Sequence, residues 1–213
     1  MSASAFVVAE TTLSAPPLVP EIRLHLATEI TPLWQATEAR LQESGVAPPY
    51  WAFAWPGGQA IARHVLDHPG LVAGLRVLDF AAGSGLAAIA AARAGAAFVE
   101  AAEIDPLACA AIALNAAANH VTVACRATDL IDAAADWDVV LAGDVCYERP
   151  MAERVVLWLH RLAAAGCLVL MGDPGRTYLP GSGLAAVASH LVPTSRELED
   201  RTERETVVWR VLP

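Results

Sequence analysis

The chain has 213 residues, a formal charge of −9 and a pI near 5.0, a balance that argues against a nucleic-acid backbone as partner. With 55% hydrophobic residues, 17% charged residues and a mean hydropathy of +0.43, it excludes global disorder, and its length suffices to bury one core without disulfides or a structural metal. All fourteen basic residues are arginine, and lysine is absent.

Residues 1–20 carry no basic residue ahead of the short apolar run 5–9, so they do not read as a signal or transit peptide, and they are expected to form a frayed tail leading into Pro16-Pro17. Ile22, Leu24 and Leu26 alternate with Arg23 and His25, which predicts a short strand. A helix is expected over 31–44, with Thr31 as cap, Pro32 in the first turn and Gly45 as stop. The aromatic, glycine-rich stretch 48–58 cannot be regular throughout, and a helix resumes over 59–67.

From Leu75 the pattern alternates. Strands are expected at 75–80, 98–104, 121–125, 137–142 and 167–171, and helices at 86–94, 106–119 and 151–164. Such alternation predicts an α/β fold, a mostly parallel sheet with helices on both faces. Residues 195–200 and 206–212 read as an antiparallel hairpin at the sheet edge. One domain is expected, with 1–58 an N-terminal extension covering the site and 59–213 the core. The uncharged stretch after Pro106 is no membrane span, because Asn115, Asn119 and His120 interrupt it. Cys109, Cys125, Cys146 and Cys167 form no C-x-x-C pair and read as reduced, buried thiols. The six histidines lack ligand spacing, read as surface residues, and imply no metal.

The strand at 75–80 runs into Asp79-Phe80-Ala81-Ala82-Gly83-Ser84-Gly85, a glycine turn that lets a ligand approach amides at a helix N-terminus. The turn also fits the dinucleotide pattern G-x-G-x-x-A, with Glu103 as a ribose acid. Against a dinucleotide, a charged Asp79 at the strand tip repels a pyrophosphate, and too little chain follows for a second half-fold. S-adenosylmethionine answers both objections, since its sulfonium and ammonium are cationic. Asp79, Glu103 and Asp129 fall at or just beyond the carboxyl ends of three successive strands, where ligands of open parallel sheets bind. Singly each acid also reads as a turn cap, a strand end or a loop acid.

Together with 51–59, 77–85, Glu103-Ile104-Asp105-Pro106, Gly143-Asp144-Val145-Cys146-Tyr147 and Gly172-Asp173-Pro174-Gly175-Arg176, these residues resemble the Rossmann-like class I methyltransferases. Within them, the likeness is to the electron-transfer-flavoprotein β-subunit lysine methyltransferase family. The resemblance implies a seven-stranded sheet, S-adenosylmethionine as cofactor and a lysine of that β-subunit as acceptor. A monomer is expected, and the thiols, charge and interrupted apolar stretch described above lead to the expectation that it is cytoplasmic and binds neither nucleic acid nor membrane. It implies Asp144 and Tyr147, a D-x-x-Y motif, as catalytic residues, although Asp144 also reads as a helix-capping acid. Trp55, Asp79, Ala81, Gly83, Ser84, Gly85, Glu103 and Asp129 are implied in cofactor binding, and Trp51, Asp173 and Arg176 in substrate binding. Two departures stand out. Ala81 replaces the family's usual glycine, so negative φ is expected there, and Glu103 replaces the usual aspartate. A small-molecule N-methyltransferase and, more remotely, an NAD-dependent oxidoreductase remain open at this point.

Overall fold

Val77, Leu78, Val139, Val140, Leu141 and Val169 are fully buried, as strands covered on both faces must be. They belong to the central strands of a sheet in the computed structural model, which describes residues 1–27 and 48–213. The helix expected over 31–44 lies outside the described residues.

In chain order the elements are α1 (Ala3–Glu10), β1 (Thr12–Ser14), β2 (Leu24–Leu26), a 3-10 turn (Tyr50–Ala52), α2 (Pro56–Asp67), β3 (Arg76–Phe80), α3 (Leu86–Arg93), β4 (Phe98–Ala102), α4 (Pro106–Ala118), β5 (Ala124–Arg126), β6 (Val139–Gly143), α5 (Arg149–Ala164), β7 (Leu168–Asp173), β8 (Leu184–Pro193), α6 (Arg196–Glu199) and β9 (Glu203–Val211). Seven strands form one sheet in the order β5-β4-β3-β6-β7-β9-β8, in which β9 pairs antiparallel with both β7 and β8 and the other pairings are parallel. One face packs Trp158, Leu159 and Val155 of α5 against Phe80 and Val140. The other packs Ile61 and Val65 of α2 and Ala88 and Ala91 of α3 against Val77 and Leu141. The expected mostly parallel sheet is present.

Several boundaries differ for physical reasons. The N-terminus is not frayed: Ser2 caps α1 by accepting from the Ala5 amide, and Phe6 and Val7 are buried against Trp51 and Ala108. This helix draws its stability from that cover rather than from its own short sequence. β1 and β2 pair antiparallel, and α4 holds them by side-chain amides: Asn115 Oδ1 accepts from the His25 amide at 2.7 Å, and Asn119 Oδ1 from the Arg23 amide at 3.0 Å. The edge hairpin exists, but its first strand is 184–193. Residues 195–200 instead make a turn of helix, with Ser195 Oγ accepting from the Leu198 amide. His64, expected at the surface, is buried in α2 with its ring 4.6 Å from that of His68. Of the four thiols only Cys146 is fully buried, and Cys125 is exposed.

The helix α2 begins at Pro56, earlier than expected, because Gly57 serves close approach rather than helix breaking. A Cβ on Gly57 would lie 2.2 Å from the Gly172 carbonyl oxygen and 2.6 Å from Asp144 Oδ2, and one on Gly172 would lie 2.2 Å from the Gly57 oxygen. The first turn of α2 therefore rests backbone to backbone on the tips of β6 and β7. Gly57→Ala is expected to destabilise the fold by about 3 kcal/mol or more through overpacking. A urea midpoint equal to the native one would contradict this close contact.

Candidate active site

A cavity of about 600 Å³ opens over the carboxyl ends of β3, β4 and β6, walled on one side by the segment around the 3-10 turn. Trp51, Trp55, Ala81, Gly83, Glu103, Asp129, Asp144, Tyr147 and Arg176 all line it, so nine of the residues singled out from the sequence come together. Asp79, Ser84, Gly85 and Asp173 do not line it. The wall also includes Tyr50, Glu148 and Arg154, which sequence reasoning did not single out.

The glycine turn is built from beneath. Asp79 is 3% exposed, and its Oδ2 accepts from the Ala88 amide in the first turn of α3 at 2.8 Å. Burial pushes this carboxyl up to about 8, the hydrogen bond from Ala88 opposing and the Glu103 charge adding to the rise. At neutral pH Asp79 therefore holds the turn as a protonated acid rather than offering the charge its position suggested. The Ser84 carbonyl accepts from Asn115 Nδ2 at 2.9 Å, which ties the turn to α4. Gly85 caps α3 in the left-handed region, with φ +76°. Ala81 also has positive φ, +53°, against the negative value expected. The Ala82 amide, bonded to the Ala102 carbonyl at 3.2 Å, helps keep the chain in that course. Left-handed backbone at an alanine costs roughly 1–2 kcal/mol.

Glu103 reaches across to the turn. Its Oε2 accepts from the Gly83 amide at 2.9 Å and its Oε1 from its neighbour Ile104 at 2.8 Å. Burial raises its pKa, and the amides of Gly83, Ile104 and Asp105 pull it back. Farther along, Asp129 Oδ1 accepts from the Ile131 amide at 2.9 Å, and its other oxygen lies 3.6 Å from Arg154.

Asp144 stands at the end of β6 with φ +55°, a conformation aspartate tolerates better than most residues. Its Oδ2 accepts from the Gly58 amide at the start of α2 at 3.2 Å, and its Oδ1 from Arg176 Nη2 at 2.8 Å. Arg176 also donates to both carboxylate oxygens of Glu199, at 2.6 and 3.1 Å, and its guanidinium lies 5.8 Å from the Trp55 ring centroid. Asp173 sets this arrangement from below, its Oδ1 accepting from the amides of Gly175 and Arg176. Burial pushes Asp144 up to about 6 despite the Arg176 guanidinium beside it, and pushes the Tyr147 phenol up to about 12. Tyr147 thus stays protonated. Its ring lies 5.4 Å from that of Tyr50, which lies 5.9 Å from Trp55, so three aromatics continue one wall. Phe53, between Trp51 and Trp55, is a core residue, 4% exposed. Among the described residues no cluster of histidine, cysteine and acidic side chains is arranged to hold a metal, and no helix is long and apolar enough to cross a membrane.

This strand order, with a glycine turn after β3 and acids at the carboxyl edge, defines a class I methyltransferase. The solved magnesium protoporphyrin IX methyltransferase (ChlM) from Synechocystis PCC 6803 with bound SAM has the same fold, with TM-score 0.56 and 18% identity over 73% of this chain and 79% of that one. Residues 64–145 match the family described as ribosomal protein L11 methyltransferase (PrmA). More particularly, the chain belongs to the electron transfer flavoprotein beta subunit lysine methyltransferase family. It is 38% identical to the Xenopus laevis protein over 98% of this chain and 86% of that one. To the Homo sapiens protein it is 35% identical, over 92% and 76%.

The cofactor of this class is S-adenosylmethionine, and the residues fit it. Five carboxylates line the cavity (Glu103, Asp105, Asp129, Asp144 and Glu148) against two guanidiniums (Arg154 and Arg176), a balance that suits a cationic ligand. At Gly83 a Cβ would meet only the Trp51 Cα, at 3.8 Å, so the turn is open on that side.

The buried proton of Asp79 has a thermodynamic consequence. The unfolded carboxyl titrates near 3.8 and the folded one near 8, so ionisation in the unfolded chain lowers stability as pH rises between those values. Asparagine keeps the acceptor for Ala88 without the ionisation. Asp79→Asn should therefore gain stability over the native chain by a margin that widens from pH 4 to pH 8, read from urea midpoints. A margin that is constant, or that narrows with pH, would contradict a protonated Asp79.

Proposed function

We propose that this chain transfers methyl groups from S-adenosylmethionine to lysine side chains of the electron transfer flavoprotein β-subunit. The observation that carries the reading is Asp144-x-x-Tyr147 facing Glu103 and the glycine turn across one cavity, in a chain sharing 38% identity over nearly its whole length with a relative named for that substrate.

In this reading Glu103 accepts hydrogen bonds from the ribose hydroxyls, the Gly83 region receives the amino-acid end, and Asp129 faces the purine. Trp51, Trp55 and Tyr50 wall the channel and keep water out. When bound, S-adenosylmethionine supplies an electrophilic methyl carbon on a sulfonium. The acceptor nitrogen must meet that carbon in line and uncharged, at about 3–3.5 Å before reaction. Lysine titrates near 10.4, so presenting a neutral amine at pH 7 costs about 4.6 kcal/mol. Asp144 accepts a hydrogen bond from the incoming ammonium and aims its remaining lone pair once a proton has passed to water. Tyr147, still a phenol, serves as wall and donor rather than base.

Two variants separate the roles. Glu103→Ala should weaken S-adenosylhomocysteine binding by roughly ten- to a hundredfold, the worth of hydrogen bonds to a charged acceptor. Asp144→Ala should keep that affinity within a few-fold while turnover falls about a hundredfold or more. Calorimetric titration and initial rates on both variants check this, and an exchange of the two phenotypes would reverse the assignment. The acceptor is tested with labelled S-adenosylmethionine and recombinant flavoprotein. Because the chain has no lysine, self-labelling at lysine cannot obscure the result. Label on β-subunit lysines by mass spectrometry is expected, and label confined to other proteins of a lysate would reject that acceptor.

A further inference from the structure

The acid that receives the acceptor in the proposed function already has a cation on it. Arg176 Nη2 lies 2.8 Å from Asp144 Oδ1, on the cavity side, and Asp144 Oδ2 is engaged by the Gly58 amide. An incoming lysine ammonium must share or take Oδ1 from this guanidinium. Arg176 cannot itself be the acceptor, because a guanidinium stays protonated and offers no lone pair.

What would hold Arg176 as it yields is Glu199. Glu199 is buried, sits on the short helix α6 between the two edge strands, and grips the guanidinium at two points, 2.6 and 3.1 Å, against a single bond to Asp144. Arg204 Nε lies 3.3 Å from Glu199 and steadies it. The cluster of Asp144, Asp173 and Glu199 against Arg176 and Arg204 is formally one negative charge in excess, which one lysine ammonium would neutralise. Asp173 Oδ2 is buried and has no hydrogen-bond partner among the described residues, so the cluster also keeps an unused acceptor.

We propose that Glu199 is a positioning residue, which by holding Arg176 lets the acceptor lysine reach Asp144. The inference rests on the assignment of Asp144 as the acceptor-facing acid. Without the Glu199 charge, a guanidinium leaving Asp144 would be stranded in a buried site, a costly state, so it would cling to Asp144 and compete with substrate.

The test is a double-mutant cycle on the full chain with the flavoprotein β-subunit as acceptor. Glu199→Gln should raise the acceptor KM about tenfold or more, with kcat within about threefold and S-adenosylhomocysteine affinity within about twofold. The acceptor Kd, measured without turnover in the S-adenosylhomocysteine complex, should rise in parallel. In the Arg176→Gln background the same change should no longer move the acceptor KM or Kd, because no guanidinium is left to compete. Glu199→Asp, which keeps the charge, should recover most of the loss, and Glu199→Met, which removes it at similar volume, replaces Glu199→Gln in the cycle if that variant does not fold. A native acceptor KM in folded Glu199→Gln, or the same KM rise in both backgrounds, would overturn the role. Absence of turnover by the native chain would reject the proposed acceptor itself, whereas normal native turnover with a flat response at position 199 would reject only this inference.

Discussion

Gly57, Gly143 and Gly172 touch backbone to backbone, and this contact decides where the first turn of α2 meets the tips of β6 and β7. A Cβ on Gly143 would lie 2.8 Å from the Gly58 amide, so the contact leaves no room for a side chain there. Because the helix starts there, the Gly58 amide is aimed at Asp144, and the positive end of the helix dipole faces a carboxylate buried for nine-tenths of its surface. The same contact carries the aromatic segment ahead of α2 across the cavity mouth. One steric constraint thus fixes both the acid at the strand tip and the wall opposite it.

Around that constraint, burial sorts the carboxylates. Asp79 lies under the turn with one amide partner and no cation, and becomes a neutral structural acid. Asp144 is also buried, but the Arg176 guanidinium keeps it closer to its ordinary range. Burial raises Glu103 as well, with three amides opposing its desolvation. The acids left facing the cavity outnumber the bases, so a cofactor and an acceptor that are both cationic meet a favourable potential before either is in contact.

Much of this was legible in the residues. The buried strands and the Asp105-Pro106 helix start follow from local pattern and capping, and the observed Asp105 side chain accepts from the Leu107 amide as such a cap should. Of the acids at three strand ends, Glu103 and Asp129 do face the cavity, whereas Asp79 is turned beneath the glycine turn. Other features were hidden because their causes are tertiary. The helix at Ala3–Glu10 depends on cover from Trp51 and α4, and the start of α2 depends on a contact with strands more than eighty residues away. The alanine-rich strand Leu184–Pro193 is selected by pairing with β9 rather than by its own propensity. Glu199 was missed as well, since 195–200 read as an edge strand and nothing local showed that one of its acids would be buried on Arg176. Ala81 shows the converse: an alanine in the place of glycine argued for negative φ, and the backbone there is left-handed.

The most direct measurement is a crystal structure of the chain with S-adenosylhomocysteine and a lysine-bearing peptide from the flavoprotein β-subunit. The expected result has the lysine nitrogen hydrogen-bonded to Asp144, pointing at the cofactor sulfur, with the ribose on Glu103 and Arg176 retained by Glu199. A lysine nitrogen seated away from Asp144, with Arg176 still bound there, would contradict the assignment of Asp144 as the acid that receives the acceptor.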